Sequence, residues 1–523
     1  MSKKTTKLGI DLGTTNSCCY CIRPNGNLEV VTTQEGEQLL LSSPLYEKGK
    51  DPVFGRVCKN ANKYGKRTMA RYCKRLIGKK FSDKEVQEVS KYCEAPVIDR
   101  GDGYPCYDLS AVEEGMKKTP VEVATDILKC MIERAKIFNE LEIESICITI
   151  PAKFDNNQRT ATIKALKNCG FDENQIEVIS EPCAAALTYI KENPGHKEHI
   201  LIFDFGGGTF DVSIVHISDR KMCVEAYRGD NNIGGLTIDM KLVDWIKEQY
   251  YKETGERIPD VQGKKNIASK LLTKAERLKI DLSGQSYCNI SLEDIMGDSD
   301  DFELEITQSQ FEKLIEDISA RILEVVDECI QAAGLEKSDI SDVVFVGGST
   351  RIPCIRKAVK NYFPETTMFR DSVNPEKCVA NGALLSFDTD IIISDRTSYS
   401  FGHLVGLTKC ECIIPMDSPL PISITVENTI ASATSELPLL LYQGNATRIK
   451  QRERVQNCIF LGNYSVNLDA FMDEYDLDYE DMEGRIIETT YTIRRSGKII
   501  ITVRDKESGY VLVDGRVIEY QSY

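Results

Sequence analysis

Histidine is scarce in this sequence, at four residues in 523, and basic residues are outnumbered, with 65 Lys and Arg against 81 Asp and Glu. The shortage of imidazole leaves few nitrogen ligands for a metal. Nineteen cysteines do not make up for it, because they are scattered and odd in number. The pairs Cys19/Cys21 and Cys410/Cys412 have one residue between them, not the two of a CxxC zinc half-site. No structural metal site is expected, and the cysteines read as small apolar residues kept reduced. A net charge of −16 argues against nucleic acid as the main partner, because a phosphate backbone calls for clustered Lys and Arg. No apolar run is long enough to span a membrane, so no membrane partner is expected. The opening MSKKTTKLGID carries charge but no apolar run, so no signal peptide is read and the cytoplasm is the default. A G-x-x-x-x-G-K-[ST] motif is also missing, which excludes a P-loop NTPase.

What is present is a duplicated grammar. With 523 residues, 41% hydrophobic and 28% charged, two or three compact units are expected. LIFDFGGGTFDVSIV (201–215) runs from an apolar strand through Asp204 and three glycines into a second strand. LGIDLGTTNSCCYCI (8–22) does the same through Asp11, Gly13, Thr14 and Thr15, 193 positions earlier. SICITIPAKF (145–154) has a counterpart in DVVFVGGSTRIP (342–353), and EPCAAALTYI (181–190) in PEKCVANGALL (375–385). The last pair reads as two helix openings whose small residues permit close approach. Such a repeat suggests two similar α/β lobes facing one another. Two amphipathic stretches serve as lobe scaffold. One starts at Thr119-Pro120, and the other, QSQFEKLIEDISARILEVVDECIQAAG, stops at Gly334.

Character changes near residue 390. PISITVEN, LPLLLYQG, RIIETTYTI, GKIIITVRD and YVLVDGRVIEY are short β-type runs punctuated by Pro, Gly and Asn, the pattern of an antiparallel sandwich or barrel. LDAFMDEYDLDYEDMEG (468–484) reads as an acidic, solvated loop, with a docking surface as the alternative.

Taken alone, a glycine run beside a strand is either a tight reversal or a phosphate cradle. The duplication favours the cradle. Two facing strand–turn–strand loops would aim backbone N–H groups into one cleft, where they bind phosphate oxygens. Asp11 and Asp204, one at each strand end, suit a water-mediated Mg²⁺ beside a polyphosphate.

The motifs GIDLGTTNS, KRLIGKKF, TIPAKFDNNQRTAT, ISEPCAAAL, IFDFGGGTFDVSI, GDNNIGGLTID and VFVGGSTRIP, in that order, resemble those of the 70-kDa heat-shock protein chaperones. That family belongs to the actin and sugar-kinase ATPase superfamily. The likeness covers essentially residues 7–385 and thins beyond. It implies a two-lobed actin-like α/β ATPase domain over 1–389, with lobe I about 1–190, lobe II about 191–370 and a returning helix to 387. A linker at 390–395 and an all-β sandwich at 396–523 follow.

The resemblance also implies roles. Gly13, Thr14, Thr15, Asn16, Gly206, Gly207, Gly208 and Thr209 would wrap the phosphates of ATP or ADP. Asp11 and Asp204 would position hydrated Mg²⁺, and Asp211 a monovalent cation such as K⁺. Lys74 would orient the attacking water and offset transition-state charge, and Glu181 would hold the water or the metal shell. Gly234 and Gly235 would pass near the ribose. Glu276, Lys279 and Ser283, spaced on one helix face, would grip adenosine with Gly347, Gly348, Ser349, Arg351 and Glu376. Ile280 stands where many members have arginine, which shifts stacking to Arg351, and Glu376 replaces a common aspartate. Pro151 and Arg159 match a relay toward the second domain, and DTDIIISD (388–395) matches the family's apolar linker.

Two departures concern the β-domain: His403 occupies a usually aliphatic position at the peptide pocket, and the sequence stops at Tyr523 where the family implies a helical lid. The expectation is an ATP-hydrolysing chaperone, taking ATP and water to ADP and phosphate, with fast, weak exchange of unfolded or nascent polypeptide. A J-domain co-chaperone and a nucleotide exchange factor are the implied partners. The alternatives are a lidless nucleotide-dependent adaptor and a small-molecule kinase or filament-forming ATPase.

Overall fold

The computed structural model describes residues 5–518 except 34, 56–57, 59–66, 195–197, 219–220, 263–264, 293–301, 371–372, 398, 406, 431–433 and 495–497. Two compact units emerge. The first holds residues up to 152 together with 161–392, and the second holds 393 onward together with 153–160.

The first unit is built on two sheets with the same plan. Strands β1 (Thr5–Asp11), β2 (Asn16–Ile22) and β3 (Leu28–Val30) form an antiparallel meander. Strand β4 (Glu142–Ile150) joins β1 in parallel, and β5 (Ile176–Ser180) joins β4, giving the order β5-β4-β1-β2-β3. In the other lobe, β6 (His199–Phe205), β7 (Phe210–Ser218) and β8 (Lys221–Asp230) repeat the meander. Strands β9 (Ile340–Val346) and β10 (Met368–Arg370) add the parallel pair, so the order is β10-β9-β6-β7-β8. Near-continuous apolar runs suit strands covered on both faces. Leu8, Ile10, Leu201, Phe203, Ile214 and Val343 are all fully buried.

Helices cover these sheets where the sequence signals them. Thr119 closes a capping box with Glu122 ahead of helix Pro120–Asn139. The long stretch ending at Gly334 divides into Gln308–Leu314 and Glu316–Ala333, where one continuous helix was expected. Ile315 leaves the helical region (φ −109°) while its side chain is fully buried. A tertiary packing demand thus interrupts a stretch whose local sequence carries no breaker.

The small-residue helices Glu181–Glu192 and Cys378–Leu385 meet each other directly. A Cβ on Gly382 would stand 2.8 Å from Ala184 Cα and closer still to its carbonyl. On its other side, helix Cys378–Leu385 rests on β1, where a Cβ on Gly9 would lie 2.8 Å from Leu384 Cβ.

In the second unit, a five-stranded sheet contains Ser400–Val405, Lys409–Ile414, Glu436–Gly444, Arg452–Arg454 and Ile459–Asn467. A four-stranded sheet contains Ile422–Thr429, Ile486–Ile493, Ile499–Asp505 and Val511–Val517. Both contribute to one core that includes Phe401, Leu441, Leu461, Tyr491, Ile501 and Val503, so the unit is an antiparallel sandwich. Stretch 468–484 is more than a solvated loop. It contains helix Asp469–Tyr475, and Leu468, Phe471 and Met482 anchor it in that core. The isoleucines expected in a linker contribute to strand Ile392–Arg396, where Ile392 is exposed and Ile393 buried. Arg159, matched to a relay position, is buried and donates from Nε to Phe154 O at 3.1 Å.

Candidate functional site

The equivalent hairpins β1-β2 and β6-β7 bring their turns together. Gly207 and Gly208 press so closely on the first turn that a Cβ at Gly208 would lie 2.6 Å from Thr14 Oγ1. One at Gly207 would lie 3.3 Å from Thr15 Cβ. Absence of a side chain is what lets the loops meet with their backbones forward. A third layer, the start of helix Gly235–Thr254, is tied on by backbone bonds. Gly235 N donates to Gly206 O at 3.0 Å and Leu236 N to Gly207 O at 2.8 Å. Ser349 Oγ donates to Gly206 O at 2.9 Å, which adds the turn after β9. Gly347 in that turn has φ 85°, a conformation glycine adopts without strain.

Charge concentrates between the turns. Lys74 Nζ lies 2.6 Å from Glu181 Oε1, and each side chain is only 10% exposed. Burial works to discharge Lys74, but Glu181, Asp11 and Asp204 together outweigh it and raise its pKa. The carboxyls respond oppositely. Burial pushes Glu181 up to about 7, with Lys74 opposing and Asp11 adding to the rise. Asp11 is raised by burial against the pull of Lys74 and Thr149. Asp204 is raised well above the usual carboxylate range, by burial and then by Glu181, Asp211 and Asp11. Three carboxyl groups thus share one ammonium, with Asp211 close to them, an arrangement short of positive charge. Hard oxygen donors with a deficit of cation fit a hydrated Mg²⁺, and turns without side chains fit the close approach of phosphate oxygens to backbone.

Thr209 and Asp211 are coupled: Thr209 Oγ1 donates to Asp211 Oδ2 at 2.7 Å, and Tyr227 OH donates to Oδ1. On the opposite flank, Lys279 Nζ bonds Asp239 (2.8 Å) and Gly235 O (3.1 Å). Asp239 is pushed up to about 7 by burial, with Lys279 opposing and Glu276 adding. Ser283 Oγ donates to Lys279 O at 2.9 Å, just beyond helix Ile267–Leu282. Arg351 is more than half exposed and pairs with Glu376 through Nη2 at 2.9 Å. Gly234 lies against the 206–208 loop, where a Cβ would fall 2.6 Å from Gly208 C. Gly348 faces Glu376, with 3.5 Å between its virtual Cβ and Oε1. Asn16 opens β2 as an exposed residue.

Several contributors were not read from the sequence. Arg75 Nη1 donates to Gly208 O while Nε pairs with Glu85 at 2.6 Å, bracing the second glycine turn from lobe I. Thr149 Oγ1 reaches Asp11 at 3.4 Å. Tyr72 takes φ 65° directly before helix Cys73–Leu76, which aims Lys74. A left-handed tyrosine costs roughly 1–2 kcal/mol and persists only where packing over-determines it. Thr149 lies within a quoted motif, so a signal existed for it. Arg75 and Asp239 also lie within quoted motifs, KRLIGKKF and GDNNIGGLTID, although neither motif names the partner that the fold supplies; for Tyr72 and Tyr227 no signal existed.

Two facing lobes of one topology, each lending a glycine or threonine turn and an aspartate to a shared cleft, define a two-lobed actin-like ATPase. The chain also matches a family profile described as Hsp70 protein over residues 7–467. A ribosome-associated molecular chaperone of Eremothecium gossypii is 32% identical over 457 residues, 85% of this chain and 73% of that protein. Chaperone protein DnaK of Buchnera aphidicola is 30% identical over 516 residues, 96% of this chain and 77% of that protein. A chloroplastic 70 kDa heat shock protein of Arabidopsis thaliana is 33% identical over 461 residues, 86% and 62% respectively. The chain belongs to the Hsp70 family. It is an ATP-dependent molecular chaperone and an ATPase, of a family that binds ATP and ADP with Mg²⁺. Among the described residues, no helix is long and apolar enough to cross a membrane.

Proposed function

We propose that the two hairpin turns clamp the β- and γ-phosphates of ATP, through Gly13, Thr14, Thr15 and Asn16 on one side and Gly206, Gly207, Gly208 and Thr209 on the other. The observation that carries this is Lys74, nearly buried and sharing its one charge among Glu181, Asp11 and Asp204. Asp11 and Asp204 would hold Mg²⁺ through water, where it would supply positive charge against the phosphates. Lys74 steadies the attacking water and the charge that builds on the transferred group. Glu181, with its pKa near 7, accepts a hydrogen bond or proton from that water. Asp211, fixed by Thr209 and Tyr227, offers its remaining lone pairs to K⁺. Gly234, Gly235, Glu276, Lys279, Ser283, Gly347, Gly348, Ser349, Arg351 and Glu376 form the adenosine side. The Arg351–Glu376 pair supports a guanidinium held flat for stacking.

Nucleotide state in the first unit governs capture of unfolded or nascent polypeptide by the sandwich, in the cytoplasm and under stress. Similarity to ribosome-associated chaperones supports nascent chains as clients. A J-domain protein accelerates hydrolysis and an exchange factor resets the cycle. The test is single-turnover ATP hydrolysis with and without a J-domain protein, for wild type and Lys74→Ala. The expected result is stimulation of wild type and a loss in the variant of about 10²–10³-fold. A Lys74→Ala protein as fast as wild type would overturn the assignment of the cleft.

A further inference from the structure

At the far end of the hairpin that carries Asp204 and Asp211, two of the chain's four histidines meet. His199 opens β6 and stands directly across the ladder from His216 on β7. Their rings stack with centroids 4.6 Å apart and planes 21° from parallel. Glu225 on β8 reaches both: Oε2 lies 3.0 Å from His199 Nε2 and Oε1 lies 3.7 Å from His216 Nδ1. We propose that His199, His216 and Glu225 form a binding site for a divalent transition-metal ion of the zinc class.

The geometry is set by the sheet. The β7-β8 register slips where Ile214 opposes Ala226 and Val215 opposes Val224, so Glu225 is the extra residue of a bulge. Bulges re-aim a side chain, and this one turns a carboxylate toward the imidazole pair. One ligand atom from each residue lies within 4.8 Å of the others. A tetrahedral ion with bonds of about 2.0–2.1 Å needs ligands roughly 3.3 Å apart; the His199–Glu225 separation of 3.0 Å is near that, and with all three ligand atoms within 4.8 Å the group closes in by at most about 1.5 Å to seat the ion. Two imidazoles and a carboxylate suit Zn²⁺, Co²⁺ or Ni²⁺; Mg²⁺ and Ca²⁺ favour all-oxygen shells. The ligands are 27–40% exposed, so an ion can enter and water can complete its shell. Among the described residues, this is the one group of three such side chains with converging ligand atoms. Linear spacing hides it, because the ligands come from three strands joined by the ladder.

The test uses the full chain stripped of metal with a chelator and titrated with Co²⁺ at neutral pH. One equivalent should give visible d–d absorption without the near-ultraviolet charge transfer of a thiolate ligand. Zn²⁺ should displace it. His216→Ala and Glu225→Gln should each weaken binding by about tenfold or more while leaving basal ATP hydrolysis intact. Zn²⁺ should raise the melting temperature of wild type and not that of His216→Ala. Thiolate charge transfer would overturn the proposal, as would loss of binding in Cys223→Ser, because Cys223 lies opposite His216 in the register. Titrations indistinguishable between wild type and a His199→Ala, His216→Ala double variant would reduce the cluster to two imidazoles hydrogen-bonded to a carboxylate.

Discussion

Replacing Gly382 by alanine tests whether backbone contact between two helices holds the cleft in register. The new methyl would overlap the Ala184 carbonyl and sit 2.8 Å from Ala184 Cα, so to restore an ordinary contact of 3.4 Å the helices must part by well over 0.6 Å, on the order of 1.5 Å at the carbonyl. Ala184 cannot yield by rotating a side chain, because the obstacle is its backbone. The helix bearing Gly382 cannot retreat either, since the close approach of Gly9 and Leu384 fixes its other face on β1. Overpacking of a tight core costs about 1–3 kcal/mol, and an obstacle of backbone on both sides places this case at the upper end. Alanine regains about 0.5–1 kcal/mol of helix propensity, which leaves a net loss near 2 kcal/mol. For a unit of this size that is a fall in melting temperature of about 2–3 °C. Calorimetry on the nucleotide-free protein reads it directly. A second effect follows from position: Glu181 begins the displaced helix, so the Lys74–Glu181 contact should lengthen and hydrolysis should slow. A Gly382→Ala protein melting within about 1 °C of wild type, with unchanged turnover, would refute the reasoning.

Glu181 (about 7 against 4.5) and Asp239 (about 7 against 3.8) have folded pKa values raised above their unfolded ones. Their protonated forms therefore favour the folded state below those ordinary values, and the contribution is lost as pH rises toward 7. Urea midpoints for wild type and Glu181→Gln from about pH 5 to 8 should show a shallower decline in the variant, and a steeper one would contradict the burial argument. Tyr227→Phe leaves a 5%-exposed Asp211 short of one donor and should cost about 1–3 kcal/mol in thermal unfolding. A change under about 0.5 kcal/mol would mean water replaces the hydroxyl. In the sandwich, Asp505 is 1% exposed and accepts from Arg485 Nε at 3.1 Å. Arg485→Met should destabilise that unit by about 3 kcal/mol, measured by denaturant titration near neutral pH, and a neutral result would show the carboxylate satisfied by Ser508 alone.

The hairpin pair was legible because each copy is written in consecutive residues. Strand, aspartate, small-residue turn and strand lie within fifteen positions, and the second copy removes the ambiguity of the first. The small residues at Ala184 and Gly382 were readable as close approach for the same reason, although nothing in either stretch said that they approach each other. Interactions closed by the fold were not legible. Arg75 meets Gly208 from 133 positions away, and Lys279 meets Asp239 from 40. The break at Ile315 and the anchoring of the acidic stretch through Phe471 and Met482 share that origin. In both, a core selects which local tendency survives.

The helix pair has one further consequence. The chain leaves helix Glu181–Glu192 to build β6 through β10 and returns at helix Cys378–Leu385. Thr188 Oγ1 holds Cys378 O at 2.7 Å, so departure and return are fastened side by side. Lobe II is therefore joined to lobe I covalently along one edge only, its other contacts being noncovalent. Displacement in a flap grows with distance from its attachment, so the part of lobe II farthest from this fastening travels furthest for a given rotation. A nucleotide clamped from both lobes as proposed would act as the latch, its release set by an angle of opening as well as by its hydrogen bonds.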